Sequence, residues 1–480
     1  MGDLVSLANG GWQTQYQRNL FGLETGRTFG GGVRTRTEHD RIGRVTGHKT
    51  EKNNRHLKEK NYLWGTNDKL LAIVTNGKET RFEYDGWGNL SRTLFEDGKT
   101  ELRNPDKTGN LFESLDRMDR KYAKGGQLLK TDRWEYKYDK EGFLVRKKDK
   151  HGQTWRYEWN DAGMLAKVKR PDAIEVTFKY DALGRRIEKC FNNRTYTRWV
   201  WDGNTPLHEW KETHTQDYEQ DKGYFTRIDK QAVVTWVFEE GTFVPTAKLT
   251  EQQQLSIVTN YLGTPEAMFR EDGEEVWTCE LNSYGRVRSY EGQTKTECPF
   301  RYQGQYEDAE TGLYYNRFRY YDPTMGSYLS QDPIRTNGGV EFYSYVHNPN
   351  TWLDIFGLIS RPKNTQEHHV ISDKNPATKN HPLINASGYD LQSSQNKILL
   401  PTDNSGTNNR TIHKGRHRQI YSSQIASKMD AVYLEGKRNN WTKQQYAAAM
   451  NNLVKGLKKD LKSGKIALNK NKRSGSCFTF

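Results

Sequence analysis

The sequence predicts a mainly β protein that ends in a small α+β domain, and three observations lead there. Apolar residues make up only 33% of the 480, yet aromatic residues reach 12%, with 27 Tyr and 13 Trp. That mixture suits extended strands carrying rows of rings, not a helix bundle or a disordered chain. A unit with a 21-residue step recurs through the first part of the chain. Beyond Leu358 the step stops, aromatic residues thin out, and Lys, Asn and Ser rise. A change of that kind marks a domain boundary.

The length is enough for two or three domains, each with its own core. No run of about 18 apolar residues exists, so no membrane-spanning helix is expected. Cys190, Cys279, Cys298 and Cys477 show no CxxC spacing, which argues against a zinc knuckle or a disulfide framework. Met1 to Trp12 lacks a basic stretch followed by an apolar core, so it does not read as a secretory signal. Gly2 to Ser6 meets a myristoylation pattern, but one too short to weigh.

The repeat is clearest at Tyr138-Asp139-x-x-Gly142-x-Leu144, which recurs as Trp159-Asn160-x-x-Gly163-x-Leu165 and Tyr180-Asp181-x-x-Gly184. It appears earlier as Tyr84-Asp85-x-x-Gly88-x-Leu90, with Gly109-x-Leu111 following 21 residues on. Weaker copies sit at His39-Asp40-x-x-Gly43-x-Val45, at Tyr122 with Gly126, and at Ser283-Tyr284-Gly285-Arg286-Val287. Between them, stretches such as Thr154 to Trp159 and Val176 to Tyr180 alternate with strand period. One strand, a Gly-containing turn and a second strand make a hairpin. A single hairpin cannot bury its aromatic face, so the units must build one long sheet. These units resemble the YD repeats of the Rhs family, whose members coil such hairpins into a hollow β-cocoon. The resemblance implies a cocoon-like shell over residues 1–300.

A second segment, residues 301–358, is similar to the Rhs core-terminal signature. It runs from Gly312-Leu313-Tyr314-Tyr315-Asn316-Arg317-Phe318-Arg319-Tyr320-Tyr321-Asp322-Pro323 into Gln331-Asp332-Pro333-Ile334, then Gly338 to Val346 and Asn348-Pro349. It closes on Asp354-Ile355-Phe356-Gly357-Leu358. In that family unrelated toxin domains follow the signature, and the core cuts its own chain after the closing Gly-Leu. The bond implied here is Leu358–Ile359. Peptide hydrolysis by carboxylates needs two neighbouring acids, one to activate water and one to protonate the leaving group. Asp332 and Asp354 match the motifs, with Arg319 as the charge partner that sets their ionisation. Asp322, beside Pro323, reads better as a turn cap. Ile355 stands where the family normally has Pro.

The third segment, residues 359–480, holds the charge. It carries 21 Lys+Arg against 7 Asp+Glu, a net of +14, which is the net charge of the whole chain. Residues 1–358 are therefore neutral, and the tail is suited to a polyanion. His413 and His417, four apart, share a helix face and can reach one cation, and His368-His369 upstream can supply a third ligand and a base. Ile420–Ala431 and Trp441–Leu461 have helical apolar spacing, with Tyr446, Met450, Leu453, Leu457 and Leu461 as the stripe. His381, before Pro382, reads as structural, and the Lys455–Lys465 cluster as a solvated helix face.

The tail resembles HNH/endonuclease VII-like toxins with an Ala-His-His motif; Glu367 takes the Ala position. Gly388 to Leu391, Asn396 before an apolar Leu-Pro, and His-x3-His follow in family order. The resemblance implies a ββα-metal unit in which His368, His413 and His417 hold one divalent ion (Mg, Mn, Zn or Ni). His369 would be the general base, with Asn396 orienting it through its carbonyl. Arg416 and Arg418 flank the ligands, where guanidinium groups grip phosphates. The family further implies a nucleic-acid substrate, DNA ahead of RNA, and delivery between bacteria without a signal peptide by a type VI-like secretion apparatus. Action in the target-cell cytoplasm and a cognate immunity protein follow, the latter acidic to match the tail. Two other classes fit the residues less well: an adhesive repeat protein with an inert or structural-zinc tail, and a tail that binds nucleic acid without catalysis.

Overall fold

Each repeat folds around one turn whose chemistry is local. In Tyr138–Leu144 the Asp139 carboxylate accepts the backbone N–H of Phe143 at 2.8 Å. Gly142 sits at φ 88°, in the left-handed region that glycine enters without steric cost. Strand pairing slips by one residue at Tyr138, a bulge that bends the strand, and Leu144 is fully buried. The same side-chain cap recurs at Asn160 to Met164 N (2.9 Å), Asp181 to Arg185 N (2.8 Å) and Asp85 to Asn89 N (2.9 Å). The register slips likewise at Trp159, Tyr180 and Tyr84. The opening ring of a motif then reaches back to the preceding unit. Trp159 Nε1 donates to Leu144 O at 2.9 Å, and Tyr180 OH to Leu165 O at 2.7 Å. Tyr84 OH donates to Leu70 O at 2.8 Å. Every such bond ties one hairpin to its neighbour.

The turn pattern also has a copy that the sequence reading did not place. Asn260 caps Leu262 N and Thr264 N at 2.9 and 3.1 Å, ahead of Gly263 at φ 79°. The weak copy near residue 285 is centred on Asn282, which accepts Tyr284 N and Arg286 N at 3.0 and 2.9 Å; Ser283 is not its capping residue.

The computed structural model describes residues 5–468 except 21, 87, 107–108, 222, 334–341, 359–360, 363–364, 373–374, 392–395, 402–418, 464 and 467. Among these, the hairpins form a ten-stranded antiparallel sheet from Ser6 to Leu102 and a seventeen-stranded one from Arg120 to Glu291. The late strands of the long sheet return onto the first. Trp12, Phe29 and Val33 share a buried cluster with Val237, Ala247, Leu249 and Phe269. Lys60 pairs with Glu266 in the interior, and Glu101 accepts the Ser283 N–H at 2.9 Å.

A short four-stranded sheet, Tyr306–Glu307, Tyr314–Asn316, Arg319–Asp322 and Ser327–Tyr328, packs on the buried face of the long one. Leu313, Tyr315, Tyr320, Met325 and Leu329 meet Leu144, Leu165, Val168 and Val176. Each such side chain contributes on the order of 1.5–3 kcal/mol by leaving water. Buried ion pairs add register: Arg186 to both oxygens of Asp308 at 2.6 and 3.0 Å, and Lys147 to Asp322 at 2.7 Å. Asp322 also caps the turn at Thr324 N, 2.7 Å away. It is a structural group, as its place beside Pro323 suggested.

Chain contacts divide the molecule into two units, Met1–Glu38 with Val45–Ser360, and His39–Arg44 with Arg361–Phe480. In the second, Thr365–His369 pairs antiparallel with Lys397–Pro401. Helices Pro376–Lys379 and Pro382–Ser387 precede two long ones, Gln419–Arg438 and Lys443–Lys462. Thr442 and Gln445 close a capping box at the last. Its buried stripe is Tyr446, Met450, Val454, Leu457 and Leu461. Leu453, expected on that stripe, packs against it partly buried, and Val454 joins it from the neighbouring position.

Candidate functional site

The first site is built on Arg319, Asp332 and Asp354, all but sealed from solvent at 2%, 5% and 1% exposure. Arg319 Nη2 holds an oxygen of each acid, Asp354 Oδ2 at 2.9 Å and Asp332 Oδ2 at 3.2 Å. Its Nη1 donates to Phe342 O at 3.2 Å, its Nε to Gly357 O, and its plane covers the Tyr328 ring at 3.6 Å. One guanidinium therefore gathers both carboxylates and the backbone just before Leu358.

Asp354 reaches the same backbone from its other side, with Oδ1 accepting the Leu358 N–H at 2.9 Å. Tyr328 OH donates to Asp354 Oδ2 at 2.8 Å. Burial first, and the Asp354 carboxylate beside it, hold that phenol well above its usual range, so it remains a donor. Asn316 Nδ2 donates both to Tyr328 OH at 2.7 Å and to Asp354 O at 2.8 Å. Gly357 adopts φ 65°, and a Cβ there would lie 2.6 Å from Asn316 O, so the turn tolerates only glycine. The Leu358 side of the implied bond is thus clamped; Ile359 lies outside the described residues. Sequence reading missed Asn316 and Tyr328. The available signal was a polar residue within a wholly buried aromatic strand, which must find partners.

The second site lies on the strand Thr365–His369. Neighbouring side chains on a strand point to opposite faces. His368 is 1% exposed and packs edge-on to Tyr421 of helix Gln419–Arg438, with Nε2 3.3 Å from its hydroxyl. His369 faces the other way; its Nε2 is buried and has no hydrogen-bond partner among the described residues. Asn396 fixes the strand end. Its backbone O accepts Val370 N at 2.7 Å, its Oδ1 accepts Ile371 N at 2.9 Å, and its Nδ2 donates to Ile371 O and Leu391 O, each at 2.8 Å. Its carbonyl therefore holds the backbone beyond His369 and not an imidazole ring. His381 caps Leu383 N at 3.1 Å and meets Asp430 at 3.0 Å, a structural role. His413, Arg416, His417 and Arg418 lie outside the described residues. Among those described, no three His, Cys, Asp or Glu side chains converge on one point.

Residues 33–350 match the teneurin YD-shell family model. The chain belongs to the YD-shell family. Residues 356–458 match AHH, a nuclease family of the HNH/ENDO VII superfamily with conserved AHH; here Glu367 stands in place of the alanine. The double-stranded DNA deaminase toxin A of Burkholderia cenocepacia is 34% identical over 312 residues, 61% of this chain and 22% of that protein. The probable deoxyribonuclease RhsA of Dickeya dadantii is 29% identical over 361 residues, 71% and 24% of the two. The chain spans about a quarter of the length of these relatives. The solved TcdB2-TccC3 structure without its hypervariable C-terminal region shares 19% identity at a TM-score of 0.39, over 72% of this chain and 21% of that one. The chain accordingly joins a YD-shell core to a segment that matches the AHH nuclease family. The shell match ends at residue 350 and the nuclease match begins at residue 356, on either side of Asp354.

Proposed function

We propose that the YD-repeat core severs its own chain between Leu358 and Ile359 and that the tail hydrolyses DNA phosphodiesters in a competing bacterium. The nuclease reading rests on the histidine strand inside the AHH-matching segment. His368 packs on Tyr421 of helix Gln419–Arg438, and His369 carries on the opposite face a buried nitrogen with no hydrogen-bond partner among the described residues. An unpartnered buried polar atom costs about 1–3 kcal/mol, a cost relieved by the water or substrate it serves. Imidazole suits proton transfer near neutral pH, so His369 takes the proton from the attacking water. His368, His413 and His417 are donors suited to a divalent ion. When bound there, such an ion neutralises charge gathering on the phosphate and on the leaving 3′ oxygen. Arg416 and Arg418 grip the adjoining phosphates. Incubating the purified chain with plasmid and Mg²⁺ or Mn²⁺, beside an EDTA control, tests this; intact plasmid under all conditions refutes it.

For self-cleavage, one of Asp332 and Asp354 takes a proton from water as it adds to the Leu358 carbonyl. The C–N bond to Ile359 breaks and the other acid gives the leaving amine its proton. Ile355 replaces the proline that would stiffen this turn. The stiffness has another source here, because Phe318 N holds Phe356 O at 3.3 Å while Arg319 and Asn316 hold its flanks.

The tail's net charge of +14 calls for an acidic inhibitor in the producing cell that competes with the nucleic-acid backbone. Their association should be fast and fall steeply with salt. A rate unchanged between low and high ionic strength would overturn that reading. Delivery through a type VI-like apparatus and release in the target cytoplasm complete the proposal.

A further inference from the structure

A cavity of about 540 Å³, its mouth included, opens within the first unit. Its wall is chiefly aromatic, with Trp199, Trp201, Phe238, Phe243, Phe300 and Tyr306. Asn204, exposed on the turn between Thr195–Asp202 and Thr205–Glu219, stands at the mouth. Most buried polar groups of the wall are engaged. Arg186 holds Asp308 at 2.6 Å, Arg301 Nε holds Glu307 at 2.8 Å, and the Tyr306 hydroxyl donates to Glu209 at 2.9 Å. Two groups differ. Gln305, 1% exposed, has no hydrogen-bond partner for either its amide nitrogen or its amide oxygen. Arg317, 7% exposed, directs Nη2 to Leu183 O at 2.9 Å, while Nε and Nη1 are buried and unpartnered among the described residues. The Tyr315 phenol nearby offers no counter-charge, because burial above all raises its pKa.

A guanidinium taken out of water is offset by a paired anion, and native interiors rarely leave such a group unmatched. Apolar walls with a few convergent polar groups are also how small ligands are held. The missing partner is therefore an anion carried on a flat apolar body, and the narrow interior takes one ring. We propose that this cavity binds a single-ring aromatic carboxylate, its ring among the tryptophans and phenylalanines and its carboxylate on Arg317 and Gln305. Rings favour offset and edge-on neighbours of their own kind. The carboxylate accepts charge-assisted hydrogen bonds from the guanidinium, and the Gln305 amide can turn its NH₂ to the same oxygens. Ile355 belongs to the wall, and Phe243 meets Phe356 edge-on at 5.3 Å. The occupant thus lies against the turn that leads to Leu358.

The full chain titrated with 4-fluorobenzoate and followed by ¹⁹F spectra gives the test. The probe should fill one saturable site, from which benzoate displaces it. Benzamide keeps the shape but not the charge, so it should compete about 10–100-fold more weakly, the worth of a hydrogen bond to a charged group. Acetate keeps the charge but not the ring and should compete more weakly than benzoate. Arg317→Met should weaken the probe by about 10–100-fold, and Phe243→Ala by about 2–10-fold through the lost ring contact. The competition series uses the unmutated chain and needs no variant to fold. No saturable binding at millimolar probe, or benzamide competing as well as benzoate, overturns the proposal. Acetate competing as well as benzoate does so too, since it would place the anion on the basic tail. Full affinity in a folded Arg317→Met puts the ligand elsewhere and refutes the site.

Discussion

Asp354→Asn should leave the chain whole. Asparagine has nearly the same shape and can still accept the Leu358 N–H, so the turn should persist while the acid is lost. A positioned acid or base contributes about 10²–10⁴-fold, so the barrier should rise by about 3–5.5 kcal/mol. The fold should also weaken. Removing one partner of a buried ion pair costs about 3–5 kcal/mol, and the lower end applies because Asp332 stays 3.2 Å from the same Arg319 nitrogen. Lys147→Met is the control, since it breaks a buried pair of similar kind, Lys147–Asp322 at 2.7 Å, away from the acids. Denaturant titration should place both variants at comparable stability. Gel analysis and N-terminal sequencing should find the fragment beginning Ile-Ser-Arg from wild type and Lys147→Met, and none from Asp354→Asn or Asp332→Asn. Normal cleavage in both aspartate variants would refute the paired-acid mechanism. Loss of cleavage in Lys147→Met as well would show that stability, not chemistry, is being read.

Gly357→Ala must place a Cβ 2.6 Å from Asn316 O at φ 65°; it should cost about 1–3 kcal/mol and slow self-cleavage, both measurable on the same samples. Acid should loosen the four-stranded sheet. Burial alone would raise the pKa of Asp322 and Asp308, but Lys147 for the one, and Arg186 with Lys189 for the other, outweigh it and hold both below the usual carboxylate value. Their stabilisation is therefore complete above an unfolded pKa of about 3.9 and is lost as pH falls through the lower folded values. Denaturation midpoints should drop steeply below pH 4, less so in Asp322→Asn. In the tail, His369→Ala should abolish plasmid cleavage while calorimetry still shows metal bound, and His368→Ala should lose both. The reverse outcome would exchange the two roles.

The repeats were legible because their chemistry is local. Asp139 caps, Gly142 turns and Leu144 buries within seven residues, and each role needs a particular residue type. The reach of Trp159 and Tyr180 back to the previous unit was not legible, since a strand aromatic looks the same whether or not its polar atom has a partner. Asp332, Asp354 and Arg319 were found through their motifs, and the structure brings them together. Asn316 and Tyr328 were overlooked because Tyr328 passes for a core ring, and its hydroxyl finds Asp354 only across 26 residues. Tyr421 was hidden for the same reason, 53 residues from His368. The opposite facing of His368 and His369 was implicit in the strand period; only burial shows which faces the helix.

The bonds that join neighbouring repeats span 14 or 15 residues, as from Tyr84 to Leu70 or Tyr180 to Leu165. Those that seat residues 301–358 span far more: 122 from Arg186 to Asp308, 175 from Lys147 to Asp322 and 201 from Gly142 to Tyr343. Short spans close early and long ones late. The wall can therefore wind up turn by turn behind the ribosome, while Arg319 and Asp354 meet only after that wall exists to receive them. Winding becomes a clock. If the core cuts its own chain as proposed, its blade is assembled last, and a chain that has not finished its wall should not yet release its tail.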